Sequence, residues 1–157
     1  MYVPAHFAEQ RLDVLHRLMH EHPLGALVTL QPDGLDACHI PFEIAPASAA
    51  APHGILRAHI ARNNPLWRNP TSAVDALVIF QGPQAYITPS WYAEKQASGK
   101  AVPTYNYATV HAYGPLRIID DVAWLHALLE RLTNRHEASR AQPWQIGDAP
   151  PDYIEKM

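Results

Sequence analysis

The chain has 157 residues, 48% hydrophobic and 17% charged, with a formal net charge of -3 from 12 Lys+Arg against 15 Asp+Glu. That length and balance describe one folded domain over residues 1–157, too short for two comfortable cores and too apolar for a disordered chain. They argue against a basic phosphate-tracking surface and so against direct nucleic-acid binding, while the single cysteine excludes an internal disulfide and no run has the apolar length of a membrane span.

The opening MYVPAHFAEQ has neither the basic start nor the apolar centre of a signal peptide, so a soluble, cytoplasmic protein is expected. Residues 8–22 set Leu12, Leu15, Leu18 and Met19 on one face of a 3.6-residue period and stop at Pro23, which predicts an amphipathic helix. Residues 24–44 read as two β-rich runs around Pro32-Asp33-Gly34, a hairpin whose Gly34 can take the positive φ such turns require. APASAAAPHG (45–54) is a surface loop, ILRAHIA (55–61) a strand, and Asn64 before Pro65 is placed to cap a short helix. VDALVIF (74–80) is an apolar strand, Gly82 and Pro83 turn it, AYIT (85–88) is its short successor, and 89–104 is a polar loop with Lys95, Gly99 and Lys100 at its tip. Residues 105–119 form a last strand with a bulge or bend at Gly114-Pro115. Asp120 and Asp121 then lead into a helix with Val122, Leu125, Leu128, Leu129 and Leu132 on one face. About six hairpin-connected strands between two helices predict a mainly β, α+β fold, an antiparallel split barrel with peripheral helices. No G-x-G-x-x-G and no P-loop pattern supports a doubly wound alternative.

Three stretches carry candidate chemistry. In ILRAHIARNNPLWRNP (55–70) the corner after His59 sets Arg62, Asn63 and Asn64 ahead of Pro65 and Trp67, where free N–H groups and a guanidinium can seat a phosphate. The bland alternative is a capped short helix with Trp67 in the core. FQGPQAYITPSWY and VPTYNYATVHAYG bring Gln81, Ser90, Thr104 and Asn106 together with Trp91, Tyr92, Tyr105 and Tyr107, the hydrogen-bonding groups and ring platforms that a flavin needs. Each aromatic taken alone reads as packing. His16, His20 and His22 lie close in sequence without a carboxylate and read as surface histidines rather than a metal site, whereas His39, His59 and His111 fall on strands as pocket lining. Ser90 lacks a G-x-S-x-G setting and Cys38 reads as a small buried hydrophobe, so no hydrolytic nucleophile is supported.

MYVPAHF, LGALVT followed by HIPFEI, HIARNNPLW, ALVIFQGPQAYITPSWY and VPTYNYATVHAYG together resemble the PaiB-type FMN-binding split-barrel proteins, negative transcriptional regulators affecting protease production and sporulation. The resemblance spans nearly the whole chain. It implies a homodimer with FMN at the subunit interface, held by His39, Pro41, His59, Asn63, Asn64, Trp67, Gln81, Trp91, Tyr105 and Asn106, with Arg62 at the phosphate corner. It also implies a further strand and a basic tail beyond PDYIEKM, so part of the barrel edge is expected to be missing here. With no recognisable catalytic set, the expected role is regulatory. The alternatives are a flavin-dependent oxidoreductase of the flavin reductase or pyridoxamine-phosphate oxidase kind, and a haem protein ligated by one of the histidines.

Overall fold

The computed structural model describes residues 1–68 and 74–156. In chain order it contains α1 (Leu12–Glu21), β1 (Leu24–Gln31), β2 (Gly34–Pro41), β3 (Glu43–Ala45), β4 (Ile55–Arg57), β5 (Ala76–Ile87), α2 (Ala93–Ser98), β6 (Thr104–Gly114), α3 (Val122–Glu137) and α4 (Pro151–Lys156). Every strand pair is antiparallel: β2-β1-β5-β6 form one sheet and β3-β4 a second. This is the predicted mixed α+β class, with an open sheet compatible with a split barrel.

The β1-β2 hairpin turns through Pro32 and Asp33, and Gly34 has φ 133°, a value that side chains with a Cβ rarely adopt. Alternation then sends Gly25, Leu27 and Thr29 of β1 and Ala76, Val78 and Phe80 of β5 into the core. Phe80 is fully enclosed and meets Phe42 edge-on at 5.6 Å between ring centres. Gly25 makes room for that pair, since a Cβ there would lie 2.8 Å from Val78 Cγ1 and 3.0 Å from the Phe42 ring. The predicted face of α1 closes this side, with Met19 buried and Leu15 and Leu18 packed against the cluster.

Several boundaries differ from the sequence reading, each for a physical reason. Gly82 and Pro83 do not turn the chain: β5 runs through them as one strand, with a bulge between Gln81 and Gln84 where β5 spends one more residue than β6. The bulge lies there and not at Gly114-Pro115, where β6 simply ends, because Pro115 has no N–H to continue a ladder. The strand over 55–61 is only Ile55–Arg57, since its partner β3 offers three residues. The loop 89–104 holds a 3-10 turn at Pro89–Trp91 and α2, and two further short helical segments, Ile146–Asp148 and α4, follow α3. On α3 Leu128 and Leu132 are buried, while Val122, at the first helical position, is exposed. Asp121 caps this helix, its Oδ1 accepting the Trp124 N–H at 2.7 Å.

An ion cluster ties α3 to the small sheet. Glu43 accepts from Arg131 Nε at 2.5 Å and Nη2 at 3.0 Å, and Arg57 Nη1 lies 3.5 Å from it. Hydrogen bonding to Arg131 holds the Glu43 carboxyl below its usual 4.5, outweighing the rise that partial burial causes. Its folded pKa lies below its unfolded one, so the stability it contributes is complete above the unfolded value and is lost as pH falls through the folded value. Glu43→Gln is therefore expected to lower stability by about 1 kcal/mol at neutral pH. Thermal melts as a function of pH should also show a flatter acid slope below pH 4.5 than in the parent chain.

Candidate functional site

The residues that face away from the core make a second face of the four-stranded sheet. Cα pairing places His39, Ala26, Ile79 and His111 in one row across β2, β1, β5 and β6, with Ala37, Val28, Leu77 and Tyr113 in the next. Leu24, Leu30, Leu35 and Tyr113 on this face are exposed. Past Gln81, β5 and β6 pair only with each other and project as a two-stranded arm, which continues the face with Gln84, Tyr86, Tyr105 and Tyr107. Tyr105 donates its hydroxyl to Gln84 Oε1 at 2.9 Å. Such a ribbon is marginal in water by itself. His39, Pro41, Gln81 and Tyr105 thus share the outer face, while Asn106 lies on the opposite side of the arm and exposed Trp91 beyond its end. His111 Nδ1 is buried on this row and has no hydrogen-bond partner among the described residues.

The other candidates gather in the corner after β4. Asn64 caps the turn as predicted: Oδ1 accepts the Leu66 N–H at 2.9 Å, and Nδ2 reaches Cys38 Sγ of β2 at 3.5 Å. The turn is only the three-residue 3-10 segment Pro65–Trp67, Pro65 has no N–H, and that of Leu66 is taken. The corner therefore offers a shorter turn than the helix start expected there, beside the guanidinium of Arg62. Trp67 is half-buried, with Leu66 in the core instead. Its indole donates to the Arg62 carbonyl at 2.8 Å, and the guanidinium stands 6.0 Å from its ring centre. Asn63 is exposed beside them.

Pro41 and His59 line a concavity of about 360 Å³ with Leu129, Leu132 and His136 of α3 and Trp144 beyond it. Glu137 holds that wall, accepting from Arg140 Nε at 2.9 Å and the Trp144 N–H at 3.2 Å. His59 is exposed to solvent on one side, yet desolvation by the protein around it lowers its pKa from the ordinary imidazole value. At neutral pH it meets a ligand as a neutral hydrogen-bonding ring rather than as a cation. Trp144 and His136 were not singled out in the sequence, and Leu129 and Leu132 were read only as a helix face, because nothing local distinguishes them from an ordinary amphipathic helix and its tail. His16, by contrast, bonds the His53 carbonyl at 2.9 Å, an attachment for the 45–54 loop.

Most of the eleven candidate residues thus fall into two regions of one chain, with Pro41 at the outer face and also beside His59, and Trp91 beyond the arm. One is a corner with a guanidinium, a tryptophan, amides and a neutral imidazole; the other is an apolar sheet face with an aromatic and amide-bearing arm. An open antiparallel sheet with peripheral helices is the architecture of the split-barrel class. The chain belongs to the family described as "Putative FMN-binding domain", which it matches over residues 1–157. It is 36% identical to an uncharacterized protein of Emericella nidulans over 190 aligned positions that take in all of this chain and 76% of the relative. An uncharacterized protein of Saccharomyces cerevisiae is 34% identical over 90% of this chain and 94% of its own length. The Bacillus subtilis protein named Protease synthase and sporulation protein PAI 2 is 32% identical over 91% of this chain and 65% of its own length. Among the described residues no helix is long and apolar enough to cross a membrane.

Proposed function

We propose that the chain is an FMN-binding homodimer with a regulatory role, in which the outer face of the sheet packs on its counterpart in a second copy. The observation that carries this reading is the split of the candidate residues between an apolar sheet face with its arm and a separate corner beside α3. A twofold assembly can complete each half-site with the other, and it does so twice. Arg62 is suited to the phosphate, Gln81 to the ring carbonyls and nitrogens, and Trp67 and Tyr105 to ring contact, whereas Asn106 and Trp91 lie off the outer face. FMN, when bound, supplies reversible electron transfer. The neutral His59 and the apolar wall around it suit an uncharged ring better than a second phosphate.

The regulatory part is supported by the Bacillus subtilis relative, whose name concerns protease synthesis and sporulation. A net charge of -3 favours action through a protein partner over direct contact with DNA. The test is the absorption spectrum, bound-ligand mass and sedimentation of the purified protein. Visible flavin bands and a dimer are expected. A Soret band would replace flavin with haem, bleaching by NADH or NADPH would favour an oxidoreductase, and a colourless monomer that takes up no added FMN would refute the proposal.

A further inference from the structure

The guanidinium offered to a phosphate is already engaged. Arg62 Nη2 donates to Asp120 Oδ1 at 2.7 Å and Nη1 to Oδ2 at 3.3 Å, a two-pronged contact across 58 positions of sequence. Two carboxylate oxygens present to the guanidinium fork the same acceptor pattern as two oxygens of a phosphate. Resting on the flavin reading above, we infer that Asp120 is a specificity-determining competitor for the phosphate seat, which a phosphate monoester must displace from Arg62.

Three features support this. Arg62 and Asp120 side chains are 68% and 64% exposed, so packing does not lock the pair and an incoming anion can reach it. Asp120 lies in the irregular stretch between β6 and α3, where a side chain can swing away without breaking a ladder. The neighbouring Asp121 caps α3 with its own carboxylate, so release of Asp120 leaves the helix start intact. The consequence is selectivity: a dianionic phosphate ester outbids one carboxylate for the guanidinium, whereas riboflavin, lacking the phosphate, gains nothing at this corner.

The experiment is a fluorescence titration of the full chain, Asp120→Asn, Arg62→Gln and the double variant with FMN and with riboflavin, each form first checked for folding by circular dichroism. Asp120→Asn is expected to tighten FMN about three- to fivefold and to leave riboflavin unchanged. Arg62→Gln should weaken FMN about tenfold, and in that background Asp120→Asn should no longer matter. FMN affinity unchanged or weakened by Asp120→Asn, with Arg62→Gln still harmful, would overturn the competitor role and leave the flavin reading standing. Equal shifts for both flavins would overturn it too, by showing a general effect on the corner. Failure of every form, the parent included, to bind either flavin removes the flavin reading and this inference with it.

Discussion

Phe80→Ala is expected to destabilise the chain by about 3–5 kcal/mol, seen as a lower denaturant midpoint with the slope preserved. Phe80 is the fully enclosed centre of the core, with its Cα opposite Gly25 of β1 and Val110 of β6. Its removal leaves a void that the site cannot refill: the partner on β1 is a glycine, and Phe42 is held edge-on from the β2–β3 connection. A domain of this size has about 5–15 kcal/mol in total, so the loss approaches the whole margin. Phe80→Leu, which keeps most of the volume, should lose about 1–2 kcal/mol. A Phe80→Ala midpoint close to that of the parent would show that the ring does not organise the core.

What could be read before the structure was whatever is decided within a few residues. The α1 face, the Pro32-Asp33-Gly34 hairpin, the Asn64 cap and the alternation that exposes His39 while burying Val78 all follow from local period or local hydrogen bonding. Gly82-Pro83 misled because it is a turn signal by composition, whereas ten paired positions with β6 decide that the strand continues. The same limit governs the site. HIARNNPLW announces a guanidinium at a corner, but its carboxylate partner is 58 residues away, as Glu43 and Arg131 are 88 apart, and no sequence period links them. The outer face was half legible. Its polar and aromatic members stand out in FQGPQAYITPSWY and VPTYNYATVHAYG, yet their union with Leu24, Val28 and Leu35 into one surface depends on strand order.

On the proposed dimer, the largest functional effect is expected at that surface. Ile79→Lys is expected to leave the monomer folded, abolish self-association and weaken FMN about thirtyfold or more. Ile79 sits in the central row between Ala26 and His111 and is only half-buried in the single chain, so a lysine is expected to reach water in a lone subunit. In the proposed dimer the ammonium loses that water, and among the described residues its row and the next offer it only histidines, tyrosine and aliphatics. Twofold symmetry places the same charge on both partners, so the desolvation cost is incurred twice and the two ammonium groups also repel each other. Val78→Lys is the matched control: one residue earlier, it points into the core and should unfold the chain outright. Sedimentation, a thermal melt and an FMN titration of the two variants separate the cases. A folded Ile79→Lys dimer with parental FMN affinity would show that this face is not the interface. A variant that unfolds as Val78→Lys does would show instead that Ile79 belongs to the core, and that the second copy must dock elsewhere.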